Sequence, residues 1–205
     1  LYVKSSGVEF KMIPVAGYSG GFFLMAETET TEALYQSVKG IASTSQLPID
    51  NISYSEITSF IEKLNNETKL NFSLPSAEQW LYAAEGGDKT QDYIFAGSDT
   101  PDDVAWYSAN CSSKQAVKTK APNELGIYDM SGNVGEFVSN SKYYSSERDI
   151  CGGGYCSSIS YIKKDSYVTT NYTTSKAGYG VILSYNDGSH NRSRGVGFRL
   201  ILTFK

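Results

Sequence analysis

The chain has 205 residues, of which 40% are hydrophobic and 20% charged, a composition typical of a globular protein with one substantial core, and we expect one domain over residues 1–205. No apolar run approaches the roughly 18 residues of a membrane-spanning helix, so we expect no membrane insertion. The formal net charge is −4, and residues 141–194 carry seven Lys and Arg against four Asp and Glu, an excess too small to predict nucleic-acid binding.

The first part of the chain predicts a β-hairpin. It begins at Leu1 with neither an initiator Met nor a signal-type region, so we expect a trimmed N-terminus. The stretches "VEFKMIPV" and "FFLMAE" are strand-like, and the glycine turn "GYSGG" separates them.

Two amphipathic helices are predicted next. In "SYSEITSFIEKLNNE", Ser53 and Glu56 form a capping-box pattern. In "PSAEQWLYAAEGG", Ser76 and Gln79 form a second such pair, and Gly86–Gly87 ends the helix. The apolar positions at helical spacing are Ile57, Phe60, Ile61 and Leu64 in the first helix and Trp80, Leu81 and Ala84 in the second.

The remainder of the chain predicts strands and loops. Beyond residue 88, short apolar runs alternate with Gly, Asn, Ser and Asp, without helical periodicity of any length. The stretch "GVGFRL" near the C-terminus predicts a strand whose Phe198 and Leu200 enter the core. Two early helices and a long, loop-rich β region predict the α+β class.

The cysteine and histidine content limits the chemistry. His190 is the single histidine, which excludes the multi-histidine sites of most zinc and non-haem iron enzymes. Cys151 and Cys156 could close a small disulfide around Gly152–Gly154, or both could remain free thiols, since spacing alone does not establish the geometry. Cys111 lies in a different loop.

Five segments of the chain occur in a recognisable order: "FSLPSAEQWLYAAEGG", "VAWYSAN", "PNELGIYDMSGNVGEF", "CGGGY" and "GFRL". In order and nearly in spacing, they resemble the formylglycine-generating-enzyme (sulfatase-modifying factor) family over most of the chain. The resemblance implies a variant of the C-type lectin fold, in which two amphipathic helices pack on small twisted antiparallel sheets with long loops. The elements predicted above agree with this fold.

The resemblance also implies a structural calcium site in "DMSGNVGEF". The matching positions are the side chains of Asp129 and Glu136 and the backbone carbonyls of Gly132 and Val134. A hard cation binds such carboxylate and carbonyl oxygens, and a glycine turn lets carbonyls converge. Alternatively, Asp129 and Asn133 only cap a turn, as Asx residues often do.

The cysteine motif of the family is altered in this chain. Active members use two cysteines shortly after a Gly-Gly-Ser-aromatic motif, bind copper through their thiolates and oxidise a substrate cysteine. Here the motif is Gly152-Gly153-Gly154-Tyr155, Cys156 follows directly, and Tyr161 stands five positions further on. Because a soft-metal site needs at least two converging thiolates, we expect no copper and no catalysis, with an oxidase that uses Cys156 as the alternative.

Tyrosines are concentrated towards the C-terminus. Eight of the sixteen lie in residues 141–194, among Asn, Ser, Thr, Asp and Gly. Tyrosine gives a large amphipathic contact area at low entropic cost, and Ser, Asn and Gly give adaptable hydrogen bonds. The alternative is a plain β region, since Tyr and Thr favour strands and Asn, Gly and Ser favour turns. The alternation in "YGVILSY" predicts that Val181 and Leu183 are buried.

The stretch "YNDGSHNRS" before "GFRL" is also similar to the variable region of receptor-binding proteins that diversity-generating retroelements of phages and bacteria diversify on this scaffold. Three functions compete: a non-catalytic module whose residues 157–194 bind a protein or glycan on a cell surface, the oxidase, and a structural domain of a larger surface or phage-tail protein. We expect a location at a cell surface, outside the cell or on a phage particle. The predicted ligand-binding residues are Tyr161, Tyr167, Asn171, Tyr172, Tyr179, Tyr185, Asn186, Asp187, His190, Asn191 and Arg192.

Overall fold

The computed structural model describes residues 1–140, 148–170, 184–186, 191–193 and 195–204. The helices of these residues are α1 (Glu32–Ser37), α2 (Tyr54–Thr68), α3 (Ala77–Ala84) and α4 (Pro101–Val104). The strands are β1 (Tyr2–Ser5), β2 (Val8–Ala16), β3 (Phe22–Ala26), β4 (Phe72–Ser73), β5 (Gly135–Phe137), β6 (Arg148–Cys151), β7 (Tyr167–Thr170), β8 (Ser184–Asn186), β9 (Asn191–Ser193), β10 (Val196–Gly197) and β11 (Ile201–Leu202).

The strands of the described residues form three sheets. The largest is antiparallel, with five strands in the order β1-β2-β3-β11-β4. Within it, β2 and β3 form the predicted hairpin, in register from Met12 opposite Ala26 to Ala16 opposite Phe22. The second sheet has the order β10-β5-β6-β7, in which β10 runs parallel to β5, and β8 and β9 pair with each other.

The first predicted helix is confirmed as α2. The Ser53 hydroxyl accepts a hydrogen bond from the Glu56 N–H at 3.2 Å, and the Glu56 carboxylate accepts one from the Ser53 N–H at 3.0 Å. This capping box satisfies backbone donors that the first helical turn cannot pair. Of the predicted apolar face, Ile57, Phe60 and Leu64 are buried, and Ile61 packs partly buried against the same cluster.

The second predicted helix is confirmed as α3. Ser76 and Gln79 form its capping box, with the Gln79 N–H donating to the Ser76 hydroxyl at 3.1 Å and the Ser76 N–H donating to the Gln79 side chain at 2.9 Å. The chain leaves the helix through Gly86–Gly87, as predicted. Trp80, Leu81 and Ala84 are buried on one side of the helix.

Both faces of the five-stranded sheet are covered. Along β3, Phe23 and Met25 pack in a cluster with Trp80 of α3, whereas Leu24 belongs to the cluster that contains Phe60 of α2. Successive side chains of a strand point to opposite faces, so α2 and α3 lie on opposite sides of the sheet. This explains why residues 23–26 form a continuous apolar run rather than an alternating one.

The structure contains two short helices that the sequence pattern did not predict. In α1, the Thr31 hydroxyl accepts the Leu34 N–H at 3.2 Å, and Pro101 occupies the first turn of α4. These helices have six and four residues. A repeating apolar stripe needs a longer window, so periodicity could not reveal them.

The predicted "GVGFRL" strand is wrong in its bounds. It is divided into β10 and β11, and Arg199 lies between them with a fully buried side chain. Phe198 and Leu200 are buried as predicted, and Phe198 packs against Phe60 with ring centroids 5.5 Å apart.

The organisation of residues 1–205 as one domain stays a prediction. In the described ranges, no helix combines the length and the apolar character that crossing a membrane would require.

Candidate functional site

A buried ion pair lies between the two large sheets. The Arg199 Nε donates to Glu136 Oε2 at 2.8 Å, and Arg199 Nη2 donates to Glu136 Oε1 at 2.6 Å. The Trp80 Nε1 donates to Glu136 Oε2 at 2.6 Å, and Arg199 also donates to the carbonyls of Ala26 and Tyr128. Each of the two charged groups therefore has several hydrogen-bond partners, as a buried ion pair requires.

Two further carboxylates lie near this pair. Glu29 is 1% exposed and accepts hydrogen bonds from Asn133 Nδ2 at 2.8 Å and from the Val134 N–H at 2.9 Å. Burial, reinforced by the neighbouring Asp129 and Glu136 carboxylates, raises the pKa of Glu29 well above its usual range. Burial also raises the pKa of Asp129 to about 6, although the Lys118 N–H donates to it at 2.8 Å.

The turn that carries Asp129 and Asn133 depends on their special backbone conformations. Both residues have a φ of 58°, in the left-handed region that Asx residues tolerate better than most others. Between them, Gly132 approaches Trp106 so closely that a Cβ would lie 2.3 Å from the Trp106 carbonyl oxygen. Asn133 holds the turn through its side chain, which also accepts the Gln115 N–H at 2.9 Å. These contacts are those of the turn-capping alternative.

The predicted calcium ligands do not all remain free. Asp129 and Glu136 both lie close enough to Glu29 to raise its pKa. Both Glu136 oxygens, however, already accept hydrogen bonds from Arg199. Within the described ranges, no group of three or more Asp, Glu, His or Cys side chains is arranged to hold a metal ion. A calcium ion at Asp129, Gly132, Val134 and Glu136 would have to compete with the Arg199 guanidinium. Calcium binding stays a prediction.

The structure brings four of the predicted ligand-binding residues together on one hairpin. Tyr185 of β8 lies opposite Arg192 of β9, and Asn186 lies opposite Asn191. Tyr167 lies elsewhere, in β7, which pairs with β6. Tyr161 ends a single 3-10 turn (Ile159–Tyr161) and is half-buried. Asn171, Tyr172, Tyr179, Asp187 and His190 lie outside the described residues, as do Val181 and Leu183.

Two polar contacts hold the chain just after this hairpin. The Gly195 N–H donates to Asp50 Oδ2 at 3.2 Å, and the Gly195 carbonyl accepts the Gly135 N–H at 2.9 Å. Asp50 in turn pairs with Lys114 at 2.8 Å, and Lys114 also pairs with Glu32 of α1 at 2.7 Å. The end of the tyrosine-rich segment (residues 157–194) is therefore tied to α1 and to β5.

No disulfide joins Cys111, Cys151 or Cys156 in the structure, which agrees with the alternative in which Cys151 and Cys156 both remain thiols. Cys151 is fully buried in β6, whereas Cys111 and Cys156 are half-buried. The Cys111 Sγ lies 3.9 Å from the carbonyl oxygen of Tyr155, the residue before Cys156. Burial raises the pKa of both half-buried thiols. The loop that contains Cys111 therefore lies next to the turn Gly152–Gly154.

Sequence reasoning missed the roles of Glu29 and Arg199. One signal for Arg199 was available: it is a lone charge in the apolar run "FRLIL", as Glu136 is in "VGEFV". A single charge in an otherwise buried strand usually needs a buried partner. Glu29 stands in the polar stretch "ETETTE", where nothing in the sequence distinguishes it from the other polar residues.

The α+β architecture is that of the C-type lectin-like fold predicted for this chain. The chain belongs to the sulfatase-modifying factor enzyme 1-like domain family, whose family model matches residues 2–203. It is also similar to the chaperone protein LppX of Paenibacillus barcinonensis, with 40% identity over 90 residues, or 35% of this chain and 32% of that protein. The matched region is about a third of the length of that relative.

Solved structures share the fold. Treponema denticola variable protein 1 has a TM-score of 0.80 at 21% identity, covering 98% of each chain. CarF has a TM-score of 0.73 at 19% identity, covering 96% of this chain and 99% of that chain. PvdO from Pseudomonas aeruginosa has a TM-score of 0.71 at 13% identity, covering 100% of this chain and 98% of that chain. Identities this low establish the fold and leave function to the site.

The ion pair predicts a large effect of one substitution. Glu136→Gln keeps the shape of the side chain but leaves the buried Arg199 without its hydrogen-bonded counter-charge, so we expect a loss of about 3 kcal/mol or more in the free energy of unfolding. The matched control is Glu32→Gln, which removes one half-exposed ion pair to Lys114 and should cost less than about 1 kcal/mol. Urea denaturation measures both. Equal losses in the two variants would contradict the structural role of the pair.

The calcium prediction is checked by melting temperatures. A ligand that binds only the native state adds about 2.7 kcal/mol at a hundredfold excess over its Kd, so calcium should raise the melting temperature by roughly 5 to 10 °C over the value in EDTA. Asp129→Asn should abolish this difference. The quantity compared is the shift between calcium and EDTA within each variant, because the substitution itself can alter stability. An identical melting curve in calcium and EDTA, with no bound metal, would rule the site out.

Proposed function

We propose that this chain is a non-catalytic binding module whose tyrosine-rich segment recognises a protein or glycan on a cell surface. The observation that carries the proposal is the attachment of that segment. Its β7 and the following β10 are the two edge strands of the same sheet, in the order β10-β5-β6-β7. A segment that is anchored to a rigid sheet within its first half and again just after its end is a favourable place for binding residues.

The described attachments on the two sides are made through the backbone of the chain. On one side, β7 pairs with β6 through the backbone from Tyr167 opposite Cys151 to Thr170 opposite Arg148. On the other, Gly195 is tied to Asp50 and Gly135 through its backbone. Side chains between these anchors can therefore change while the anchors persist, which suits a recognition surface.

The hairpin supports the choice of binding residues. β8 and β9 pair only with each other among the described strands, and neither belongs to the sheets that enclose the core. Tyr185, Asn186, Asn191 and Arg192 are side-chain types that interfaces use: tyrosine and arginine concentrate binding energy, and asparagine adds adaptable hydrogen bonds. The shared fold of a protein named as variable protein 1 of Treponema denticola is compatible with this use of the scaffold.

The oxidase alternative has weaker support. A soft metal is held by thiolates, but Cys151 is fully buried in β6 and burial raises the pKa of both Cys111 and Cys156, which favours their protonated forms at neutral pH. The absence of bound copper stays a prediction. The structural-domain alternative is compatible with a binding module, since both functions can belong to one domain.

Substitution of the hairpin is expected to remove binding without unfolding the protein. In the variant Tyr185→Ala, His190→Ala and Arg192→Ala, the affinity for a cell-surface ligand should fall at least about 30-fold, since one truncated anchor costs about 2 kcal/mol. The melting temperature should stay unchanged. Binding is measured on a glycan array, on a protein array and on whole cells.

The control is a triple alanine variant of polar residues outside the segment: Tyr2→Ala, Lys63→Ala and Asn66→Ala, all at exposed positions. It should bind as the parent does. If instead the hairpin variant binds every array ligand and cell as well as the parent, the binding face lies elsewhere and the structural-domain function gains support.

We also propose that the segment before "GFRL" is hypervariable. Its Tyr, Asn, Ser, Asp and His residues are those that adenine-directed mutagenesis produces. The gene should then lie beside a reverse-transcriptase gene and a near-copy of its last hundred or so bases, which genome sequencing detects. A gene neighbourhood that has neither feature would argue for a fixed binding surface.

A further inference from the structure

Two half-buried thiols from distant parts of the chain lie beside the turn Gly152–Gly154. Cys111 and Cys156 belong to two turns, 107–111 and 154–157, that are joined through the backbone. The Ser108 N–H donates to the Ser157 carbonyl at 3.1 Å. The Cys111 Sγ lies 3.9 Å from the Tyr155 carbonyl oxygen, which belongs to the peptide bond leading into Cys156. The Cys111 sulfur thus lies next to the peptide unit that joins Tyr155 to Cys156.

Each of the two turns is internally fixed. The Cys111 N–H donates to the Tyr107 carbonyl at 3.0 Å, and the Ser157 N–H donates to the Gly154 carbonyl at 2.8 Å. The Tyr155 N–H is bound by the Asn133 carbonyl at 2.7 Å. The two thiols are therefore held near each other by the fold rather than meeting by chance motion of loose loops.

We propose that Cys111 and Cys156 are a dithiol pair that a low-molecular-weight disulfide converts into an intramolecular disulfide. Both thiols are half-buried and free, so a small oxidant can reach them, whereas Cys151 is fully buried. The new bond would link the 107–111 turn to the 154–157 turn. It would lie next to Gly195, where a Cβ would come within 3.8 Å of the Cys156 sulfur. The bond would therefore restrain the base of the tyrosine-rich segment.

The reaction is ordinary thiol–disulfide exchange. One protein thiol loses its proton, and the thiolate attacks a sulfur of oxidised glutathione, which breaks the glutathione S–S bond and releases one glutathione thiolate. The second protein thiolate then attacks the protein sulfur of this mixed disulfide and releases the second glutathione. Two protein thiols are oxidised by two electrons in total, and one oxidised glutathione is reduced to two thiols that take up the two protons.

The test uses the whole reduced chain, incubated in native buffer with oxidised glutathione and then alkylated. Trypsin places Cys111 on peptide 90–114 and both Cys151 and Cys156 on peptide 149–163. Mass spectrometry without reduction should find these two peptides joined, with two hydrogens lost. The joined species should persist in Cys151→Ala and disappear in Cys156→Ser and Cys111→Ser.

The unfolded chain provides the control for the role of the fold. In urea, Cys151 and Cys156 close the shortest loop, so loop-closure entropy favours a disulfide within peptide 149–163. A change from this product in urea to the joined peptides in native buffer supports the proposal. A 151–156 disulfide in native buffer, or glutathione adducts without any joined peptides, would overturn it. Binding by the tyrosine-rich segment plays no part in either outcome.

Discussion

The buried pair of Arg199 and Glu136 fixes how the two large sheets meet. Glu136 lies in β5 of the four-stranded sheet, while Arg199 follows β10 of that sheet and precedes β11 of the five-stranded one. Arg199 also reaches the Ala26 carbonyl at the end of β3. A buried pair adds little net stability, but a buried charge that loses its partner is costly. Arrangements of the sheets that separate the two side chains are therefore strongly disfavoured.

Buried residues, Arg199 of the ion pair among them, follow the polar, tyrosine-rich segment directly. The segment ends just before Gly195, and the next residues run directly into β10, Phe198 and Arg199. These residues are buried and contact β5 and α2. The core thus closes immediately after the segment.

The parts of the fold that the sequence predicted are those with local signals. Two capping-box pairs mark the helix starts, Ser53 with Glu56 and Ser76 with Gln79. The apolar positions of α2 and α3 repeat at helical spacing. The Arg199–Glu136 contact joins residues 63 positions apart, and the contact of Cys111 with Tyr155 joins residues 44 positions apart. No local pattern encodes such pairings, because they depend on how complete elements pack. The turn-capping role of Asn133 lies between these cases, since its residue type is informative but its partners are distant.

Backbone packing explains the glycines of the Gly152–Gly154 turn. A Cβ on Gly153 would lie 2.5 Å from the Tyr161 carbonyl oxygen, and Gly153 has a φ of 65°, so a larger residue would both collide and be strained. A Cβ on Gly154 would lie 3.2 Å from the Gly195 carbonyl. The turn is therefore required where the 154–157 turn, the 3-10 turn at Tyr161 and the end of the tyrosine-rich segment come together. Its glycines are explained by backbone packing alone, and their presence carries no implication that Cys156 is catalytic.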